Sequence, residues 1–248
     1  MKNQLIVCKN HEEIGDVVAL IFSESVRTKP NCVWGLATGA SPIPVYKRLC
    51  TFYDSEDLDC SQVTTFNLDE YAGRGPGDPD SYYEFMHEHL FKKIPFKKNY
   101  LPVAKHSTDL DELTGSGISY DALIDKAGGI DIMLLGIGTN GHIAFNEPSD
   151  TVSKGTQGVT LTEQTRKDNA FKFYDGNIDA VPKYALSMGM KKIMESNKIV
   201  LIANGPNKAL AIHNAIYGPI TPQCPASLLQ LHPNVTFVVD REAYSLCK

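Results

Sequence analysis

Short apolar, β-branched runs alternate along the chain with stretches of helical periodicity. Apolar and β-branched residues dominate Leu5–Cys8, Val33–Ala37, Val63–Leu68, Asp131–Leu135, Lys198–Ala203 and Val235–Asp240, and each run reads as a strand buried in a parallel sheet. Between them, His11–Ser25, Pro42–Cys50, Ser81–Leu90, Ser119–Lys126 and Lys208–Tyr217 space their apolar residues by three and four, which predicts amphipathic helices. Strand–helix alternation of this kind predicts an α/β fold, an open and mainly parallel sheet with helices on both faces. No repeat, low-complexity tract or linker divides the 248 residues, so a single domain over 1–248 is expected. Ser107–Gly117 reads as a loop and the start of a helix.

One segment breaks the alternation. Ser149–Asp179 is rich in Thr, Lys, Asp and Gly and only weakly periodic. A stretch of that length inside a compact domain is either an active-site lid or an ordinary surface excursion. Both readings stand.

The richest motif is Gly136-Ile137-Gly138-Thr139-Asn140-Gly141-His142-Ile143-Ala144-Phe145-Asn146-Glu147-Pro148, directly after the apolar run that ends at Leu135. Its G-x-G-x-x-G spelling suggests a dinucleotide fingerprint, but that motif needs a helix straight after its third glycine to hold the pyrophosphate. Asn146 and Pro148 are poor helix formers, and the unit lies mid-chain, so a nucleotide site is not expected. A histidine and a carboxylate after a glycine turn at a strand end present acid–base groups at the edge of an open sheet. His142 is suited to moving protons near neutral pH, with Asn140 and Glu147 placed to orient its ring.

Three further strand ends carry candidate chemistry. Thr38, Gly39, Ala40 and Ser41 precede Pro42, which suits a first helical turn; the loop is an anion cradle or a plain turn capped by Ser41. Asn204-Gly205-Pro206-Asn207-Lys208 again opens a helix, and a lysine there opposes the helix dipole unless an anion offsets it. Asp69 and Glu70 follow the run ending at Leu68: Asp69 is placed as a proton shuttle, or Asp69 or Glu70 caps a following turn. His87 and His89 lack metal-ligand partners and read as structural, and no metal site emerges.

Composition narrows the class. A net charge of −5 argues against a nucleic-acid surface, and no run approaches the ~20 apolar residues of a membrane span. The six cysteines form no C-x-x-C pair and read as thiols of a reducing compartment, and the first residues read as a strand with too short an apolar core for a signal peptide. A cytoplasmic enzyme is expected.

Taken together and in order, Phe66-Asn67-Leu68-Asp69-Glu70-Tyr71, Ser81-Tyr82-Tyr83-Glu84-Phe85-Met86, Gly141–Pro148, Val181-Pro182-Lys183-Tyr184-Ala185-Leu186 and Leu229-Gln230-Leu231-His232-Pro233 closely resemble the glucosamine-6-phosphate deaminase (isomerising) family. The resemblance runs from Gly35 through Pro233. It implies a modified Rossmann-like fold with a lid at about 149–182, and conversion of glucosamine 6-phosphate and water to fructose 6-phosphate and ammonia without a cofactor. It assigns the enolisation base to Asp69 and ring opening to His142, with Glu147 and Asn140 beside it. Phosphate contacts would fall on Thr38, Gly39, Ala40, Ser41, Lys208 and the lid's Lys172.

This chain departs from many members at two of those positions. It carries Asn140 where they carry aspartate, which keeps hydrogen bonding and drops a charge, and Lys172 where the lid carries arginine, which loses bidentate geometry. Asp150, Gln157 and Val159 stand where allosteric members place a hydroxyl or cations, and the chain ends at Lys248 without their longer C-terminal segment. Hyperbolic kinetics and a monomer or small homo-oligomer follow as expectations. Two other readings remain: a 6-phosphogluconolactonase, which shares the fold and a related glycine–histidine turn, and a non-catalytic sugar-phosphate sensor. The two asparagine-containing motifs, Phe66–Tyr71 and Phe145–Pro148, favour the deaminase over the lactonase, and intact Asp69, His142 and Glu147 favour turnover over sensing.

Overall fold

The computed structural model describes residues 4–103 and 107–247, and of Lys172 and Phe173 the backbone alone. Seven parallel strands form the main sheet: β1 (Gln4–Cys8), β2 (Val33–Leu36), β3 (Thr64–Asn67), β5 (Lys98–Tyr100), β6 (Ile132–Leu135), β9 (Ile199–Ala203) and β10 (Val235–Asp240). Their spatial order is β1-β10-β9-β6-β2-β3-β5. Every residue of β2, β6, β9 and β10 is buried, which explains why these strands read as unbroken apolar runs. Trp34 of β2 packs edge-on against Phe22 and Phe96, within one apolar core that reaches from Cys8 to Ala243.

Helices cover the sheet: α1 (His11–Thr28), α2 (Ile43–Asp54), α3 (Tyr82–Met86, continued by a π-helical turn over His87–Phe91), α4 (Leu110–Lys126), α6 (Met190–Met194) and α7 (Ala209–Tyr217). Asn10 caps α1 and Asp109 caps α4, so α4 begins nine residues before the periodicity of Ser119–Lys126 is evident. Its first turns carry Thr114, Gly115 and Ser116, which blur the apolar spacing. His87 and His89 lie on the π-helical turn, stacked on Tyr83 and tilted against Phe85.

The order of the strands fixes where a ligand can sit. From β2 the chain steps outward through β3 to β5; it then returns to β6, on the other side of β2, and steps through β9 to β10. The direction of winding therefore reverses between β2 and β6. Open α/β sheets bind their ligands outside the carboxyl ends of the strands at such a reversal.

A second, antiparallel sheet of β4 (Asp69–Tyr71), β8 (Tyr184–Ser187) and β7 (Gln157–Thr160) stands beside this edge. Its strand β7, with α5 (Glu163–Phe173) and a 3₁₀ turn at Ile178–Ala180, supplies the regular structure of the polar segment 149–182. These elements escape the hydrophobic pattern for a physical reason. No residue of β7 is fully buried, and β4 buries the charged pair Asp69 and Glu70 in place of apolar residues. Among the described residues no helix is long and apolar enough to cross a membrane.

Candidate active site

Four strand ends meet at one cavity. The loop after β2 (Thr38, Gly39, Ala40, Ser41), Asp69 just past β3, the turn after β6 (Gly136–Gly138 and His142) and Lys208 past β9 all line it, in a volume of ≈ 150 Å³. A larger cavity of ≈ 610 Å³ lies along segment 149–160 and α4 but holds neither Asp69, His142 nor Lys208. The chemistry belongs to the smaller one.

The loop after β2 is held from two sides. Ser41 Oγ donates to Asn204 Oδ1 at 3.0 Å, and the His11 ring contacts the Ser41 carbonyl at 2.8 Å. Ser41 does not cap α2: Pro42 holds the cap position and makes no side-chain bond to the helix. Proline has no N–H and no polar side chain, so the hydroxyl of Ser41 stays with the loop, while the Ile43 N–H turns back to the Ala40 carbonyl at 3.4 Å. The loop after β9 is fastened by Asp240, whose carboxylate accepts from Gly205 N at 3.0–3.1 Å and from Ala243 N at 2.8 Å.

The turn after β6 is built around the imidazole. A Cβ on Gly138 would stand 2.3–2.5 Å from ring atoms of His142, so only glycine lets the ring lie there. Gly141 has φ +87, and a Cβ there would stand 2.6 Å from Cys224 Sγ. No helix follows it; the chain turns again, with Ala144 in the left-handed region at φ 51. A non-glycine residue so placed stores roughly 1 kcal/mol or more, which the surrounding turn must hold.

Asn140 and Glu147 do not line the cavity but stand behind His142. Asn140 does not bond the imidazole. It donates through Nδ2 to Glu147 Oε2 at 2.8 Å and accepts through Oδ1 from the His142 backbone N–H at 3.2 Å. It thus holds the backbone and the carboxylate, and Glu147 alone faces the ring, with Oε2 3.4 Å from Nδ1. Burial by itself would raise the Glu147 carboxyl, but the facing imidazole and the donors Thr165 and Asn140 hold it down to about 2.

The two adjacent carboxylates at β4 have separate fates. Glu70 turns away from the cavity and accepts the backbone N–H groups of Tyr71, Tyr82 and Tyr83 at 2.8–3.0 Å, fastening the start of α3. Asp69 lines the cavity and is 6% exposed, and among the described residues no donor reaches its carboxylate. Burial, with the charge of Glu70 added, pushes it up to about 8.

The wall opposite these loops comes from residues the sequence does not single out. Thr165, Asp168 and Asn169 of α5 line the cavity at i, i+3 and i+4 spacing, together with Tyr82 and Phe145. Asn169 Nδ2 donates to Tyr71 Oη at 2.8 Å, which fastens α5 to β4. Thr162 as a helix-capping residue was the available signal for α5, since its side chain accepts from Thr165 N. The side chain of Lys172 lies outside the described residues.

With this geometry in view, the comparisons with known proteins are direct. A family model described as glucosamine-6-phosphate isomerases/6-phosphogluconolactonase matches residues 11–238, and the chain belongs to that family. Within it the chain is 44% identical to the glucosamine-6-phosphate deaminase of Thermoanaerobacter pseudethanolicus, over 98% of this chain and 94% of the other. It is likewise 44% identical to glucosamine-6-phosphate deaminase 2 of Bacillus subtilis, over 97% and 96%. Among solved structures, a monomeric glucosamine-6-phosphate deaminase superposes with a TM-score of 0.91 at 41% identity, covering 98% of this chain and 99% of that one. The 6-phosphogluconolactonase of Leishmania guyanensis superposes at 0.78 with 17% identity over 98% of both chains, which shows a shared fold.

Proposed function

We propose that this protein is a glucosamine-6-phosphate deaminase, converting glucosamine 6-phosphate and water to fructose 6-phosphate and ammonia. The observation that carries the reading is the cavity itself: a buried Asp69, with no donor among the described residues, and a Glu147-backed His142 share one pocket with two anion-suited loops. Identities of 44% to deaminases over nearly full length support it, and the lactonases are related at the level of fold.

The chemistry is a sequence of proton movements. His142 takes the proton of the anomeric hydroxyl and returns one to the ring oxygen, opening the sugar. Asp69 then removes the C2 proton while the substrate's ammonium gives up a proton to the carbonyl oxygen at C1, leaving an enolamine with a C1 hydroxyl, and Asp69 delivers its proton to C1. The resulting ketimine adds water at C2 and releases ammonia. A carboxyl held near neutrality gives and takes a proton at little cost, which suits Asp69. The substrate's ammonium, once bound, favours the ionised form of Asp69 by opposite charge. Glu147 stays ionised and balances the charge on His142 each time the ring accepts a proton. Amides and hydroxyls of Thr38–Ser41 with Lys208 hold the phosphate, and Lys172 is the lid's contribution to it. None of these steps calls for a redox cofactor or a metal.

Segment 149–182 acts as the lid, since α5 supplies one wall of the cavity from outside the main sheet. The enzyme is taken to work in the cytoplasm as one domain, as a monomer or small homo-oligomer; the monomeric deaminase of closely similar structure supports the former. A coupled assay of ammonia and fructose 6-phosphate on the purified chain tests the reading. Equimolar release of both from glucosamine 6-phosphate is expected. Hydrolysis of a phosphogluconolactone without ammonia chemistry would replace it with the lactonase.

A further inference from the structure

Glu147 joins two parts of the molecule that otherwise meet the cavity separately. Its Oε2 faces the turn after β6, where Asn140 donates at 2.8 Å and the His142 ring stands 3.4 Å away. Its Oε1 faces the start of α5, where it accepts a short hydrogen bond from Thr165 Oγ1, with Thr162 Oγ1 at 3.4 Å. The two threonine hydroxyls are 3.0 Å apart, and Thr162 also accepts the backbone N–H of Thr165 at 3.2 Å as the helix cap.

A hydroxyl has one proton to donate, so these contacts admit one good assignment. Thr162 donates to Thr165, and Thr165 donates to Glu147; the 3.4 Å approach of Thr162 to Glu147 is the longer alternative and is left unmade. A donor chain of this kind strengthens its last bond by polarising each member in turn. Thr165 is 4% exposed, so water does not readily replace it.

We propose that Thr165 is a positioning residue for ring opening: its hydroxyl fixes Glu147, and through Glu147 the orientation of the His142 imidazole. The idea rests on the role given to His142 above. It follows that His142 is fully oriented only while α5 lies against the cavity. When α5 moves away, Glu147 keeps Asn140 but loses Thr165, and the carboxylate is free to rotate away from the ring. The placement of α5 and the readiness of the histidine are thereby linked through the Thr165–Glu147 hydrogen bond and the 3.4 Å approach of Glu147 to the ring.

The experiment compares Thr165→Val, which keeps shape and removes the hydroxyl, with Thr165→Ser, which keeps the hydroxyl and removes the methyl. Loss of a charge-assisted hydrogen bond predicts that Thr165→Val lowers kcat by about tenfold to a hundredfold. KM for glucosamine 6-phosphate should change less than kcat, because the loops Thr38–Ser41 and Lys208 are untouched, and Thr165→Ser should recover most of the turnover. In the substrate-free enzyme, the imidazole ¹⁵N resonances of His142 should move in Thr165→Val and stay in Thr165→Ser. That readout is independent of turnover, so it tests the link even if wild type proves not to deaminate the sugar, a result that would count against the proposed function alone. Where valine prevents folding, Thr165→Ala gives the same comparison. Unmoved His142 resonances with kcat near wild type in Thr165→Val, or equal damage in the serine and valine variants, would overturn the proposal.

Discussion

Two carboxylates serve one pocket and are driven in opposite directions. Asp69, at the junction of the main and small sheets, is buried, without a donor and next to a second carboxylate, and rises to about 8. Glu147, behind the turn after β6, is also largely buried, with its side chain 13% exposed, yet it is held down to about 2. Burial is common to both and cannot be what separates them. The difference lies in what surrounds the oxygens: Asn140, Thr165 and the His142 ring around Glu147, against Glu70 beside Asp69. One group is thereby set to carry protons near neutral pH and the other to remain charged.

The largest effect is expected from removing the proton carrier. Asp69→Asn should leave the fold intact and lower kcat by a factor of roughly 100 to 10,000, the range for a positioned acid–base group. Steady-state ammonia release measures it, and turnover within a few-fold of wild type would remove Asp69 from the role. Lys208 provides the contrast, as a charge in the same cavity with no proton to move. Lys208→Ala should raise KM for the phosphorylated sugar by about 10- to 100-fold, the loss of about 1.5–3 kcal/mol of charge-assisted binding, while kcat changes little. A kcat defect as deep as that of Asp69→Asn would erase the distinction.

Glu147→Gln removes the fixed charge itself, so a decrease in kcat of about a hundredfold is expected, at least as deep as that of Thr165→Val and at the shallow end of the Asp69 range. A separate effect concerns stability. Asp69 holds its proton more tightly folded than unfolded, so between about 4 and 8 the native state binds more protons and stability falls as pH rises. Asp69→Asn lacks that slope. Thermal unfolding should show the variant gaining on wild type from pH 5 to pH 8; a gap that shrinks with pH would reverse the sign of the argument.

How far the sequence exposed this arrangement depends on where each residue gets its burial. The strands β2, β6, β9 and β10 are covered on both faces, and their apolar runs announce them. The loops at their ends follow, and Asp69, His142, Thr38–Ser41 and Lys208 do line one cavity as expected of a single site. Edge strand β5 is mostly exposed and polar, and β4 is three residues long and buries its charges, so neither has a hydrophobic signature. Helix α5 packs through single contacts such as Asn169 to Tyr71, not through an apolar stripe, and its cap Thr162 was the lone cue. Asp69, the candidate proton shuttle of the pair, faces the cavity because Glu70 is claimed by the Tyr82 and Tyr83 amides at the start of α3 and by the Tyr71 amide of β4. Asn140 was placed beside the right histidine but holds its backbone and Glu147, not its ring, because Oδ1 lies over the N–H two residues on, as in an Asx turn.

The opposed protonation of the two carboxylates can be observed residue by residue. Carboxyl ¹³C shifts of the substrate-free enzyme, assigned by Asp69→Asn and Glu147→Gln, follow each group through a titration. The structure predicts that Asp69 titrates at about 8 while Glu147 shows no transition above pH 3. An Asp69 that titrates near 4 with the ordinary carboxylates, or a Glu147 that titrates alongside it, would contradict the division of labour between them.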